Sequence, residues 1–279
     1  MITQSEVNNI LEQMKQISRG NERREVYALC LSALDLTTLS PCDTEQSVKA
    51  FAQRAVAFYG DYPELENVAS LCVHPCFVEA VGLVVDGTPM RITSVAGGFP
   101  ASQTFLEVKA LEVAMAIESG ADEVDIVIAV GKIQEGLYDD AASEIELLRE
   151  ESGDAVLKVI LETGELKTTE LIYDGSMVAM HAGADFIKTS TGKVAISATP
   201  EAVIVMCRAI ADYYKESGTR VGIKVAGGVR TAEDAALYYT IVEQILGAEW
   251  LTPELFRIGA SAAANTLLSA VVGEEVSHF

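Results

Sequence analysis

Gly120-Ala121-Asp122-Glu123-Val124-Asp125-Ile126-Val127 returns in outline as Gly183-Ala184-Asp185-Phe186-Ile187-Lys188 and again as Gly247-Ala248-Glu249, 63 and then 64 residues further on. Each copy places a glycine suited to ending a helix ahead of an expected strand. A period near 63 residues fits two strand–helix units, so eight units fill most of a 279-residue chain. That is the size of a (β/α)8 barrel.

Working outward from the repeat, β-rich apolar runs at 31–36, 68–73, 91–95, 123–128, 156–161, 185–188, 221–224 and 255–258 predict parallel strands. Amphipathic stretches at 44–59, 75–81, 103–118, 141–150, 168–181, 200–216, 231–246 and 261–272 predict the helices between them. Thr199 before Pro200 and Glu201, and Thr231 with Asp234 three residues on, carry the chemistry of helix starts. The expected fold class is therefore α/β, a (β/α)8 TIM barrel forming one domain over 1–279. Residues 1–28 are expected as an extra N-terminal helix and 273–279 as a C-terminal tail. An open doubly wound sheet is the alternative, but no G-x-G-x-x-G follows a strand, which weakens its dinucleotide-binding version.

Composition narrows the partners. A formal charge of -21, from 41 acidic and 20 basic residues, repels nucleic acid and anionic membranes, so an anionic ligand must meet locally concentrated cations. The N-terminus lacks a basic start with an apolar core, and no apolar run approaches the roughly 20 residues of a membrane span. A cytoplasmic protein without nucleic-acid or membrane partners is expected. Cys30, Cys42, Cys72, Cys76 and Cys207 are few and scattered, as free thiols are. Cys72 and Cys76 flank His74, but C-x-H-x-C lacks a fourth ligand at familiar spacing, so structural cysteines are the preferred reading.

Charge inside apolar strands is the chemical signal. Asp125 lies in Val124-Asp125-Ile126, Lys158 in Leu157-Lys158-Val159, Lys188 in Ile187-Lys188-Thr189 and Lys224 in Ile223-Lys224-Val225. Barrel strands are covered on both faces, so such residues point into the barrel mouth or are buried at high cost. A single lysine of this kind is more simply a side chain snorkelling from a strand end. Three lysines and an aspartate on four consecutive strands favour convergence on the face where barrels place catalysis. Desolvation and a neighbouring cation would push one lysine toward the neutral amine, which attacks an aldehyde to form an iminium, the electron sink for breaking a carbon–carbon bond. A carboxylate then moves protons. A metal-bound enolate usually calls for clustered histidines, and His74, His181 and His278 are far apart; no metal or other cofactor is expected.

Thr191-Gly192-Lys193, Ala226-Gly227-Gly228-Val229-Arg230 and Gly259-Ala260-Ser261 follow strands six, seven and eight. Each is explicable as a tight turn. Three in succession favour a phosphate cradle of backbone N–H groups at a helix N-terminus.

These segments, with Asp35-Leu36-Thr37-Thr38-Leu39, Leu157-Lys158-Val159-Ile160-Leu161-Glu162-Thr163-Gly164 and Asp185 through Lys193, resemble the deoxyribose-phosphate aldolase family over roughly 28–270. The resemblance implies a class I aldolase with a (β/α)8 fold. It implies that Lys188 forms the Schiff base, Lys224 depresses its pKa, and Asp125 works with Lys224 in proton transfer. Gly192, Lys193, Gly227, Gly228, Gly259 and Ser261 would hold the phosphate, while Asp35, Thr37 and Lys158 would belong to the substrate site. The implied substrate is 2-deoxy-D-ribose 5-phosphate, cleaved reversibly to D-glyceraldehyde 3-phosphate and acetaldehyde in deoxyribonucleotide catabolism, by a homo-oligomer of two or more chains. The sequence departs from the family in Val225, where a proline often follows the second lysine, in Ala262, where some members have a second serine, and in Phe279, where some end in tyrosine. A transaldolase-like enzyme and a sugar-phosphate-binding barrel without catalysis are the competing readings.

Overall fold

The computed structural model describes residues 2–279. Among these, eight parallel strands close into a barrel in chain order: β1 Leu34–Thr37, β2 Ser70–Val73, β3 Arg91–Ala96, β4 Glu123–Val127, β5 Val156–Ile160, β6 Phe186–Lys188, β7 Gly222–Ala226 and β8 Phe256–Ala260. Closure is made by β1 against β8, with Leu34 opposite Ile258. The helices are α1 Gln4–Ser18, α2 Arg24–Ser32, α3 Glu45–Asp61, α4 Val78–Val85, α5 Leu106–Glu118, α6 Val130–Gln134, α7 Tyr138–Ser152, α8 Thr163–Leu166, α9 Thr169–His181, α10 Pro200–Ser217, α11 Ala232–Leu246 and α12 Ala262–Val272. No described helix is long and apolar enough to cross a membrane.

The repeated glycines behave as their position requires. Gly120, Gly183 and Gly247 take φ of 102°, 95° and 101°, a region that L side chains enter only with strain. Behind the third of them a 3-10 turn, Ala248–Trp250, intervenes before β8 begins at Phe256, so there the glycine does not lead straight into a strand. The caps foreseen at Thr199 and Thr231 form, each hydroxyl accepting the N–H three residues on.

Two expectations need correction. The N-terminal extension is two helices rather than one, broken by the 3-10 turn Arg19–Asn21, with Asn21 pinned to Thr240 and Glu243 of α11 at 3.0 Å each. The second helix runs to Ser32, so β1 begins at Leu34 and not at 31. The run Leu29-Cys30-Leu31 is apolar enough for either element, and burial of Val26, Tyr27, Cys30 and Leu31 along one helical face decides for the helix. The short helices α6 and α8 carry too few turns to show periodicity and were not foreseen.

Candidate active site

Register determines which charged strand residues meet. Asp125 on β4 stands opposite Lys158 on β5, and Lys188 on β6 opposite Lys224 on β7, which in turn faces Arg257 on β8. One carboxylate joins the three lysines. Asp125 Oδ2 accepts from Lys188 Nζ at 2.6 Å and from Lys224 Nζ at 2.7 Å, while its Oδ1 accepts from Lys158 Nζ at 3.0 Å. Below them Asp35 pairs with Lys224 and Arg257, and Glu123 accepts from Arg257 Nη2 at 2.9 Å and pairs with Lys158.

All seven of these charged groups are buried. Four cations (Lys158, Lys188, Lys224, Arg257) therefore share the barrel centre with three carboxylates (Asp35, Glu123, Asp125), an excess of one positive charge if every group is ionised. An uncompensated charge in a low-dielectric interior is costly, and the group that sheds a proton most readily relieves it. The shifts single out Lys188. Burial draws its pKa below the ordinary lysine value, with the Lys224 charge adding to the depression against the pull of Asp125. Burial acts on Lys224 and Lys158 too, but there the carboxylates outweigh it and both are raised. Asp125 is held well below the carboxylate range, its burial overcome by the three lysines. Of the four cations, Lys188 is thus the one that burial and a neighbouring charge dispose to give up its proton.

Asp35 and Lys158 call for a correction of position. The sequence reading put them with the substrate-contacting residues, but both are fully buried and neither lines the cavity above; they are counter-ions beneath its floor. Period-2 alternation shows that a residue faces inward, not how deep it lies. Gly259 also differs from expectation in part. It lines the cavity, yet a Cβ there would sit 2.9 Å from Ala226 Cβ and 3.1 Å from Lys224 Cε, so its lack of a side chain makes room for the Lys224 stem.

Sequence reasoning missed Glu123 and Arg257, although both carry the same signal as the lysines, a charge within an apolar strand (Glu123-Val124-Asp125 and Phe256-Arg257-Ile258). Replacing Arg257 by leucine is expected to remove about 3–5 kcal/mol of stability at neutral pH, because Asp35 and Glu123 stay buried with one cation fewer between them. Asp35 and Glu123 have depressed pKa values despite burial, so their pairing stabilises the fold above the unfolded carboxylate pKa of about 4 and fades as pH falls through the folded values. Urea unfolding of both proteins between about pH 3 and 7 checks this: the gap should narrow toward acid. A gap that stays constant would mean the pairs do not work as described.

At the C-terminal ends of β1, β6, β7 and β8 opens a cavity of about 700 Å³. Lys188 reaches its floor, and Thr37, Gly192, Lys193, Gly227, Gly228 and Ser261 all line it. Gly192, Gly227 and Gly228 have φ of 75°, 84° and 89°, exposing backbone where a side chain would be strained. Ser261 begins α12 without using its side chain as a cap. The cavity wall also holds Arg54 and Arg230, and no Asp or Glu side chain lines it among the described residues. Lys193 Nζ donates to the Leu39 carbonyl at 2.5 Å and Arg54 to that of Ala50 at 3.3 Å, so neither charge is spent on an acid. The tail folds back over this wall. Phe279 lines the cavity and stacks on Phe58 at 5.4 Å, while Asn265 Oδ1 accepts its N–H at 3.0 Å.

Glu162 supports the loop after β6, accepting from the Thr191 N–H at 3.2 Å and from its hydroxyl. The Cys72 and Cys76 thiols do not form a common site: Cys72 packs with Leu39, Val95 and Phe99, where burial pushes its thiol up, and Cys76 is exposed.

With this geometry in place the relatives can be judged by it. Residues 29–268 match the DeoC/LacD family aldolase. The chain belongs to that family. The human deoxyribose-phosphate aldolase is 40% identical over 299 aligned residues, covering 99% of this chain and 91% of that protein. That of Agrobacterium fabrum is 41% identical over 254, covering 90% and 94%. Among solved structures, the deoxyribose phosphate aldolase of Aeropyrum pernix, described as a unique tetramer, superimposes with a TM-score of 0.70 at 28% identity over 92% of this chain and 96% of that one. A member of an aldolase family with a buried lysine whose pKa is lowered, reaching a cavity lined by no Asp or Glu side chain, has the means for amine catalysis on an anionic aldehyde.

Proposed function

We propose that the chain cleaves 2-deoxy-D-ribose 5-phosphate reversibly to D-glyceraldehyde 3-phosphate and acetaldehyde through a Schiff base on Lys188. The observation that carries this reading is the charge balance of the barrel centre, which leaves Lys188, alone among four buried cations, with a lowered pKa. The neutral amine adds to C1 of the open-chain aldehyde and water leaves, giving a protonated iminium. The C3 hydroxyl loses its proton, the C2–C3 bond breaks, and its electron pair flows into the iminium to give an enamine while glyceraldehyde 3-phosphate departs. Protonation of the enamine carbon and hydrolysis release acetaldehyde and restore the amine.

Asp125 and Lys224 serve as the proton path. The carboxylate is too acidic in this setting to hold a proton for long, but through one oxygen it bonds both Lys188 and Lys224, so a proton can pass between them and the substrate. Asp35 and Lys158 keep this pair charged and aligned from below. For the phosphate, Gly192, Gly227, Gly228 and the start of α12 offer N–H groups, with Ser261, Lys193, Arg230 and Arg54 at the rim. Thr37 lines the same cavity, its hydroxyl donating to the Asp35 carbonyl at 2.7 Å. The chain is further proposed to act as a homo-oligomer in the cytoplasm.

Borohydride trapping tests the chemistry: incubation with deoxyribose 5-phosphate and reductant should leave a two-carbon adduct on Lys188, found by peptide mass spectrometry. An adduct on no lysine would reduce the protein to a phosphate-binding barrel. Arg54, on α3, is a cation that the sequence motifs do not include. Arg54→Ala is expected to raise KM for the phosphorylated sugar about tenfold, equivalent to about 1.4 kcal/mol, while leaving kcat and the turnover of unphosphorylated deoxyribose unchanged. Equal losses on both substrates would show that Arg54 does not meet the phosphate.

A further inference from the structure

Two residues past the end of β5, Glu162 takes φ 55° and ψ 58°, the left-handed region, with its side chain buried. A residue with a Cβ is strained there, and such strain persists where the surroundings impose it, most often at functional sites. The turn brings the carboxylate to the loop after β6. Thr191 donates to it through its N–H at 3.2 Å and again through its hydroxyl, and that hydroxyl accepts the Lys193 N–H at 3.1 Å. One chain of hydrogen bonds thus ends on Glu162 and takes up the backbone donors on either side of Gly192. Gly192 itself is left out. At φ 75° it lines the cavity, and its N–H finds no acceptor among the described residues.

We infer that Glu162 is a positioning residue for anion binding: it ties up the donors of Thr191 and Lys193 and thereby holds the Gly192 N–H toward the cavity. Its charge alone would do harm. A carboxylate close behind an anion site repels the anion, and no Asp or Glu side chain lines the cavity itself. A like charge is useful there only for the geometry it imposes, since an ionised acceptor binds N–H and O–H groups more strongly than a neutral one. The far end of the same loop is fixed by backbone contact instead. A Cβ on Gly164 would collide with the Ile196 carbonyl oxygen, one on Gly227 would meet Ser197 Cβ at 2.5 Å, and Ala198 donates its N–H to the Gly227 carbonyl at 3.2 Å. The near end, from Thr191 to Lys193, rests on Glu162.

The inference rests on the phosphate site proposed above, and inorganic phosphate serves as a probe that does not depend on the lyase chemistry. Glu162→Gln keeps an acceptor oxygen for the Thr191 N–H but meets its hydroxyl with an amide donor, so the chain of bonds is broken. Calorimetric titration of the full chain with inorganic phosphate should show binding about tenfold weaker in this variant. Coulomb's law alone predicts the reverse, because a negative charge near the anion has been removed. Thr191→Val should weaken phosphate similarly and, since both residues act through one chain of bonds, the double variant should lose little more than either. Glu162→Gly, which suits the left-handed backbone, should stay folded and bind phosphate as weakly as Glu162→Gln, so that loss of the anion is not loss of the fold. In turnover by Glu162→Gln, KM for deoxyribose 5-phosphate should rise by the same factor, with kcat and the cleavage of unphosphorylated deoxyribose retained. Phosphate binding that is unchanged or tighter in Glu162→Gln, additive losses in the double variant, or equal losses on both sugars would overturn the assignment. A parent chain that binds phosphate and cleaves no sugar would sink the aldolase reading and leave this one in place.

Discussion

Replacing Lys188 by methionine is expected to lower kcat/KM by at least about 10⁴-fold and to abolish borohydride trapping, with the fold and phosphate binding intact. The size follows from what remains. Without the amine there is no iminium, so the electrons of the breaking C2–C3 bond have no acceptor, and positioning alone supplies little of the rate. The fold should tolerate the change because Lys188 is the surplus cation: methionine is close to it in length, and Asp125 keeps Lys224 and Lys158 as partners at 2.7 and 3.0 Å. No rise in pH can restore the variant. Inorganic phosphate should bind it as it binds the parent, since Lys193, Ser261 and the glycines are untouched. A variant that keeps more than about one hundredth of the parent rate would place the nucleophile elsewhere.

Lys224→Met should fail differently. Removing this cation leaves three positive groups against three carboxylates only if Lys188 keeps its proton, so the charge balance that favours a neutral amine is reversed. Two causes act in one direction: the like charge that helps lower the Lys188 pKa is gone, and Asp125, relieved of one donor, holds the ammonium more tightly. Since the reactive form is the deprotonated amine, activity rises with pH through the Lys188 pKa, and this acid limb should move to higher pH in the variant. With the proton relay also lost, kcat at neutral pH should fall by about 10²- to 10⁴-fold. Part of that loss should return at alkaline pH. If the limb stays where it is and the rate falls equally at every pH, Lys224 carries protons without setting the state of Lys188. Comparing the two pH profiles therefore separates the nucleophile from the group that tunes it.

The contrast shows how far the linear sequence reaches. A charge in a β-branched run is so unfavourable that Lys188, Lys224, Lys158 and Asp125 can be picked out one by one, and the glycines at 192, 227 and 228 announce their loops in the same way. The 63-residue echo is legible because every second strand is preceded by a helix ended by glycine. Depth is not legible. Thr37 and Asp35 are two residues apart on one strand, yet Thr37 lines the cavity while Asp35 is sealed beneath it with Arg257. The boundary near residue 31 was equally hidden, because a short apolar run suits a helix and a strand alike until its neighbours are known.

The sequence by itself determined the number and order of the strands, and it singled out the proposed nucleophile with its partners and the loops proposed to meet the anion, because each depends on local pattern and on the high cost of charge in apolar surroundings. Only the tertiary structure decided that three carboxylates stand against four cations, that Lys188 is the one left over, that Phe279 closes the cavity wall and that Glu162 reaches the loop after β6. These depend on the stagger of eight strands around a closed barrel and on side chains distant in sequence, so no single segment encodes them.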